Sequence, residues 1–571
     1  MNSRLLLAIA LSFLFIYVYQ LYFMPQPEVQ KNKIEIKNSK QEKEIRKSSD
    51  LKLIRSDTEA NYDAYIKKEE INEYKEENLM NSKIILTLKN IDGSIKEIKL
   101  KEYYFTNNKE KNIELVNNEE ESECQITPLK FIFSFNEENV LKQFFYSLKK
   151  ENERKIILER QELILNNYPF QIIKEFEIVE NDYIINFKIR LKNLRNEEII
   201  LDTFKIAENT RDELTGSFGI VWFPGIKNDN PKDRIVPNVL YSSKKSVSKL
   251  IEAGKLKNNL LNISKNMNFV FNEIKAGNPD WICSSSTYFT NIFIPLESVK
   301  IKGFAGIRSL HTAGFLLVFD ELKFAPLEEK ILSFKIYSGP KKYEILKNIM
   351  PELKLENSID FGWTKGIAIL LLQILNWFYK LVPDYGIAII LLTILVNIIL
   401  YPLKHKSAVS MEATKKIQPQ IDALKEKYKN DKRKLNEELM ALYREHKINP
   451  LGGCLPLLLQ LPIFFGLYNM LAYAIELRNA KFHYTWIKDL SNADPYYILP
   501  ILFGLTMVIQ QKMSPLPNPE QQKIMLWFMP IFLTFLFLNF SSGLVLYFLI
   551  NNIIGIVQQI IIHKNLSKKE R

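Results

Sequence analysis

Cysteine is scarce in this chain: three in 571 residues, Cys124, Cys283 and Cys454, with no Cys-x-x-Cys spacing. That excludes a disulfide scaffold and a thiolate zinc site. Spacing alone leaves open whether Cys124 and Cys283 pair, while Cys454 reads as a packing thiol. Histidine is nearly as rare, with five scattered residues, and no His-Glu-x-x-His, Gly-x-Ser-x-Gly or Gly-x-x-x-x-Gly-Lys run occurs. Zinc proteases, nucleophile-elbow hydrolases and P-loop nucleotide hydrolases therefore lack their machinery here. The chain reads as a non-enzyme with no cofactor, so any work on a substrate comes from binding and partitioning. Charge is missing from five apolar runs, about 385–403, 451–474, 496–511, 524–540 and 544–562. Those runs exclude a purely soluble protein, and 36 Phe with 26 Tyr exclude a mostly disordered one. Proton-coupled transporters place acids or bases inside their spans, and this chain has none there. A channel or solute transporter stays as the alternative reading, without the inverted repeats it would call for.

What is present is unevenly distributed. Residues 1–24 hold a charge-free run from Leu5 to Met24, and twenty residues at about 1.5 Å each cross a hydrocarbon core. The run ends in Tyr22-Phe23-Met24-Pro25 with no small-x-small cleavage site, which suits an uncleaved transmembrane anchor. Residues 25–80 are polar: from Lys31 to Leu79 there are 12 Lys/Arg against 12 Asp/Glu, as in a flexible linker. Residues 81–345 carry strand signals. Ile84–Leu88 and Ile95–Leu100 flank Asp92-Gly93, a favourable hairpin turn. Tyr183, Ile185, Phe187, Ile189 and Leu191 alternate with polar residues, the period of a half-buried strand. Repeated strands without helical patterns predict an all-β sandwich domain. Residues 361–382 are apolar, with Lys365, Gln373, Asn376 and Lys380 along one side, so an amphipathic interfacial helix is expected, broken by Pro383-Asp384.

The fold class expected overall is an α-helical integral membrane protein with an all-β extracytoplasmic domain. The anchor and the five apolar runs make six spans: 383–403 is the second and 449–562 holds four more. The runs 496–511 and 524–540 are short, about 24–26 Å as helices, which implies local bilayer thinning. Segment 404–448 holds 12 Lys/Arg, and the tail 563–571 is also basic, so both are placed in the cytoplasm with the two termini. Within 404–448, Ile417, Ile421, Leu424 and Tyr428 repeat at four, three and four, as do Leu435, Leu439, Leu442 and His446. Two such seams predict a helical hairpin, with Asn430 at the turn and Asp431 capping the second helix. Its Lys425, Lys427, Lys429, Lys432, Arg433 and Lys434 form a solvated basic face, or a docking arm for RNA, a receptor or anionic lipid.

Polar residues inside the spans are more telling. Thr393 and Asn397 lie four apart on one helical face; Gln460 and Asn469 sit in the third span, Thr506 and Gln510 in the fourth, and Asn551, Asn552, Gln558 and Gln559 in the last. Uncharged amides in hydrocarbon turn inward, either as interhelical hydrogen-bonding glue or as the wall of a hydrated concavity. Both readings stand at this point.

The run Met440-Ala-Leu-Tyr443, Asn449-Pro-Leu-Gly-Gly-Cys-Leu-Pro456 and Gln460-Leu-Pro-Ile-Phe464 resembles the signature of the YidC membrane protein insertases. Tyr401-Pro-Leu403, Asp494-Pro-Tyr-Tyr497, Gln511-Lys-Met-Ser-Pro515, Gln521-Gln-Lys-Ile-Met525 and Ser542-Gly-Leu-Val-Leu-Tyr547 match in the same order. Trp281, Tyr288-Phe289, Ile294-Pro295 and Ile359-Asp-Phe-Gly-Trp363 are similar to the periplasmic domain of the Gram-negative type. The resemblance implies a bacterial inner-membrane insertase and chaperone with a five-helix core. Its hydrophilic groove would open to cytoplasm and lipid, lined by Thr393, Asn397 and Gln460, with Thr506 and Gln510 as further polar wall. Phe464 and Tyr547 would lie along the substrate slide. Implied partners are nascent membrane proteins, the Sec translocon, the ribosome, a targeting receptor and membrane lipids; no metal and no specific DNA are implied. Two positions depart from the family pattern: Asn397 stands where an arginine is usual, and Ser541 where proline is frequent. Asparagine keeps hydrogen bonding but supplies no field, and an arginine at that position is expected to be tolerated.

Overall fold

The computed structural model describes residues 73–105, 111–117, 128–132, 144–165, 168–201, 219–222, 238–243, 246–251, 270–271, 275–296, 298–308, 313–429, 431–446, 455–513 and 519–569. The expected anchor, most of the linker, Cys124, Asn430, the 449–454 signature with Cys454, and Ser514-Pro515 lie outside them. Two compact units divide the chain at Gly339/Pro340.

The first unit is built of antiparallel sheets. Among the described residues, one sheet has nine strands, running from Ser246–Ile251 at one edge to Ser147–Asn152 at the other. Strand Ile184–Asn193 lies inside it, between Tyr168–Ile178 and Glu329–Pro340. The period-two pattern buries its expected face: Ile185, Phe187, Ile189 and Leu191 are all fully buried. Register then stacks rings across strands. Phe187 lies opposite Phe176 and Phe334, with centroids 4.7 and 5.8 Å away. Rings of a six-stranded sheet, Trp222 and Phe315, reach Phe293 of the nine-stranded sheet at 4.7 and 5.4 Å. A four-stranded sheet holds the expected hairpin, Ile84–Lys89 with Ser94–Tyr104. Its turn places Asp92 and Gly93 at φ +57° and +50°, a conformation that glycine adopts without penalty and that aspartate tolerates.

That turn is clamped from beneath. Lys174, fully buried, donates to the carbonyls of Asp92 (2.6 Å), Gly93 (3.2 Å) and Leu129 (2.9 Å) and sits over the Tyr146 ring. Asp92 and Leu129 both have positive φ, so strand ladders do not use their carbonyls and the ammonium does. Burial pushes the Tyr146 phenol well above its ordinary range. Cys283 is buried in strand Trp281–Ser285.

The second unit is helical. A short helix, α1 (Tyr343–Ile349), and single turns lead into α2 (Lys365–Leu381). There follow α3 (Tyr385–Lys416), α4 (Gln418–Lys427), α5 (Lys432–Glu445), α6 (Leu455–Tyr473), α7 (Ile498–Met513), α8 (Pro519–Phe537) and α9 (Ser542–Lys569). α2 is two-faced: Ala368, Leu371, Leu372 and Leu375 are buried, while Leu370, Gln373, Trp377 and Lys380 are exposed or partly so. It packs between α6 and α3; α3 packs on α9, α9 on α7, and α7 on α8. Two described helical stretches, Tyr385–Ser407 and Ser542–Ile562, are long and apolar enough to cross a membrane; Ile498–Met513 and Leu526–Phe537 are shorter apolar helices.

Two sequence boundaries shift. The second apolar run, bounded at Leu403 in sequence, continues as helix to Lys416 through Pro402. A proline removes one backbone hydrogen bond, and the following residues rebuild the ladder. In the hairpin, Ile417, Ile421 and Leu442 form the buried seam with Leu424, Leu439 and Tyr443 against it. His446 sits outside that seam, exposed, bonded to Gln420 (3.1 Å). Asp431 caps α5 by accepting from the amides of Arg433 and Lys434.

Candidate functional site

The mid-helix polar residues fall mainly at the junction of α3, α7 and α9. On α3, Thr393, Asn397 and Lys404 share a stripe at spacings of four and seven, two helical turns apart at the far end. Thr393 is fully buried and donates its hydroxyl to Ile389 O (2.7 Å). Asn397, 1% exposed, donates Nδ2 to Thr393 O (2.8 Å) and to Asn551 Oδ1 on α9 (3.1 Å). Its Oδ1 accepts from Lys404 Nζ (2.7 Å). A single amide thus joins two helices and holds a cation.

The next layer lies between α7 and α9. Asn552, buried, donates to Thr506 Oγ1 (3.4 Å), which itself donates to Phe503 O (2.9 Å). One turn on, Gln510 Nε2 lies only 2.7 Å from where a Cβ at Gly555 would stand. Glycine at 555 is therefore what lets the Gln510 amide approach the α9 backbone. Gln460 is half-buried on α6, and among the described residues no hydrogen bond joins it to the cluster. Asn469 works elsewhere: it donates to Phe361 O (2.9 Å) and Thr364 Oγ1 (3.3 Å), tying α6 to the turn before α2.

Apolar rings flank the polar cluster. Phe464 is half-buried, its ring 5.4 Å from Phe548, which in turn meets Phe503 and Phe537. Tyr547 is 2% exposed, edge-on to Phe548 at 5.2 Å. The hairpin cations whose side chains are described lie at least partly on the surface. Lys427 and Lys429 are exposed; Lys427 and Lys434 lie over the Tyr428 ring; Arg433, highly exposed, pairs with Glu437 (3.3 Å) and Lys425 with Asp422 (3.2 Å). Lys432 is the first residue of α5.

At the other end of α3, the buried Asp384 carboxylate ties the helix start to the 482–490 loop. It accepts from the amides of Gly386 (2.7 Å), Ile387 (3.2 Å) and His483 (3.0 Å) and pairs with His483 Nδ1 (2.8 Å). Burial alone would raise its pKa, but the hydrogen bonds from His483, Ile387 and Gly386 together outweigh that and hold it below the usual carboxylate range. Asp494 plays a similar part for α7, accepting from Trp486 Nε1 (2.8 Å) and Leu499 N (2.7 Å). Ser541 bridges Ala493, and Ser542 bonds Asn492 O, so the position where proline is frequent here joins a backbone bridge.

In the sequence, Lys404 is one of twelve loop cations and carries no distinguishing signal. Only its lean back toward Asn397 marks it. Asn551 and Asn552 are legible as span amides but not as partners of Asn397 and Thr506. Among the described residues, no cluster of three or more His, Cys, Asp or Glu could hold a metal ion.

Similarity to known proteins extends across both units. A protein of Syntrophus aciditrophicus named membrane protein insertase YidC is 48% identical over 294 residues, 51% of this chain and 53% of its own. The protein of that name from Geobacter metallireducens is 49% identical over 251 residues, 44% of this chain and 46% of its own. The chain thus spans about half the length of the curated relatives it matches. A crystal structure titled as an active YidC insertase with its first transmembrane domain resolved aligns over 85% of this chain and 92% of its own, at 19% identity and a TM-score of 0.34. Residues 78–374 match the family described as the YidC periplasmic domain, and residues 377–569 match the 60Kd inner membrane protein family. The chain is an inner-membrane protein belonging to the YidC family.

Proposed function

We propose that this chain is a membrane protein insertase and chaperone, acting on nascent integral membrane proteins by binding and partitioning alone. The observation that carries the reading is the polar cluster of buried Thr393, Asn397 and Asn552 with half-buried Thr506 and Asn551, within helices otherwise apolar. An unsatisfied backbone group in hydrocarbon costs several kcal/mol, so a polar waypoint lowers the barrier for a hydrophilic tail. An apolar client segment of about twenty residues at about −0.3 to −0.6 kcal/mol each then favours lateral release by roughly 6–12 kcal/mol. In this reading Thr393, Asn397, Gln460, Thr506 and Gln510 line the groove, and Phe464 and Tyr547 lie along the exit slide. Lys425, Lys427, Lys429, Lys432, Arg433 and Lys434 dock a ribosome or targeting receptor, and the Sec translocon is a further partner. The complete architecture is six spans with a five-helix core, both termini cytoplasmic and a β-sandwich outside. The relatives named membrane protein insertases support the same reading.

Photo-crosslinking tests it. Probes at Asn397, Phe464 and Tyr547 should each crosslink a stalled single-span nascent chain, in that order as the chain lengthens. Crosslinks absent from position 397 at every length, together with solute flux through proteoliposomes, would instead establish a transporter.

A further inference from the structure

The loop joining α6 to α7 sorts its charges by sign. Its carboxylates are committed within the fold. Glu476 is partly buried and accepts from Asn376 on α2. Asp489 accepts from the amide and hydroxyl of Ser491 (2.9 and 2.7 Å) and from Asn492 Nδ2 (2.8 Å), and Asp494 is buried against Trp486. Arg478 is buried as well. Lys481 and Lys488 are exposed, and neither has an ion-pair partner among the described residues. Phe482 N donates to Ile487 O (3.0 Å) and Leu490 N to Ala480 O (2.9 Å), so the stretches carrying the two lysines run side by side. Like charges across such a ladder repel, and an anion shared between them relieves the repulsion.

The aromatic groups beside them stand on a fixed frame. Asp384 holds the 482–487 turn at His483, and Asp494 holds it at Trp486. Between these points Tyr484 projects, 79% exposed. At the end of the loop Tyr496 and Tyr497 are exposed, and the exposed face continues along α7 through Ile498, Ile501, Leu505 and Ile509. Those four recur at three, four and four, one face of the helix. Along this surface the chemistry passes from aliphatic through phenolic to cationic, the order met on leaving hydrocarbon for the headgroups. A water-soluble protein would leave the aliphatic stretch uncovered, whereas a phospholipid covers all three zones.

We propose that this loop is a docking surface for anionic phospholipid of the outer leaflet. Lys481 and Lys488 hold the headgroup, and Tyr484 and Tyr496 lie at its boundary with the acyl chains. Asp384 ties the loop to the start of α3, Asp494 ties it to α7, and the Ser542 hydroxyl donates from α9 to Asn492 O (2.7 Å). Lipid held on the loop therefore steadies one end of all three helices around the polar cluster. The inference rests on the six-span topology proposed above, which places this loop outside.

The test uses the full-length protein in vesicles of equal phosphatidylglycerol and phosphatidylcholine, each in turn carrying a photoreactive acyl chain. Adducts are mapped by mass spectrometry to the 475–497 peptide and, for reference, to the exposed face of α9 at Ile553 and Val557. The ratio of phosphatidylglycerol to phosphatidylcholine adducts should be higher on the loop than on α9. It should fall about fivefold in Lys481→Gln and again when Lys488→Gln is added, the fold-change of about 1 kcal/mol per lysine at an anionic surface. Lys481→Arg and Lys488→Arg should keep it. A loop ratio equal to that of α9, or one unchanged in the double glutamine variant, overturns this proposal alone. So does a protein that crosslinks to the loop in native membranes in place of lipid and is lost with the lysines. On spheroplasts, a membrane-impermeant amine reagent should label Lys481 and Lys488 without lysis. Labelling only after lysis overturns the topology and this inference together.

Discussion

Replacing Asn397 by arginine makes a demanding probe of the cluster. Viewed as a lone amide, Asn397 suggests that arginine would be accommodated. The contact with Lys404 argues the opposite, because its Nζ lies 2.7 Å from Asn397 Oδ1. Asn397→Arg removes the acceptor of a charged donor, worth about 1.5–3 kcal/mol. It also brings two cations together: at about 4 Å and an effective dielectric near ~20, their repulsion approaches ~4 kcal/mol. The flexible lysine stem relieves most of this by swinging toward water, leaving a net loss of about 3 kcal/mol. For a helical unit of this size that corresponds to a melting shift of about 6–12 °C. Lys404→Gln on its own costs less, since glutamine still donates to Asn397. In the double variant, Asn397→Arg with Lys404→Gln, the introduced glutamine offers the introduced guanidinium a carbonyl and no competing charge. At least half of the lost stability should then return. Thermal unfolding of the full-length protein in nanodiscs measures all four corners of the cycle. Additive shifts, with no recovery in the double variant, would refute the contact as the source of the effect.

Two further outcomes follow from buried charges, one in the β unit and one immediately before α3. Lys174→Met keeps much of the side-chain volume but leaves the Asp92, Gly93 and Leu129 carbonyls without their donor; a loss of about 3 kcal/mol is expected. Differential scanning of the full-length protein should show it as a lowered transition of the β unit, and an unshifted transition would contradict the clamp. Asp384 has its carboxyl depressed, so its stabilisation is complete above the ordinary carboxylate value near pH ~4 and disappears as pH falls through the lower folded value. Asp384→Asn, unable to accept from His483 and the helix amides together, should melt lower at about pH 7 by the equivalent of about 1–2 kcal/mol and converge with the parent protein once pH has fallen through the lowered folded value. A gap that persists unchanged at that acidity argues against the ionised carboxylate.

Much of this molecule follows from local pattern. Tyr183 to Leu191 alternates because one sheet face is buried, and the structure buries those residues. Asp92-Gly93 turns the expected hairpin, and Asp431 caps the expected helix, because both effects act over a few residues. Five expected positions of the hairpin seam, Ile417, Ile421, Leu424, Leu439 and Leu442, meet for the same reason; Tyr428 and Leu435 are not part of it, and at the last position Tyr443 lies against the seam while His446 points out. The helix continuing past Pro402 is not readable, since the cost of a proline is decided against everything its neighbours gain by staying helical.

Sequence periodicity also determines which amides lie mid-span, and with them that the apolar helices carry a polar seam. Which amide meets which required the tertiary structure. Asn397 with Asn551 joins residues 154 apart in the chain, and Asn552 with Thr506 residues 46 apart. Lys404 is one cation among many until α3 turns it toward Asn397. Composition and period report burial, which is a property of each residue in turn; partnership is a property of pairs, and only packing brings the members of a pair together.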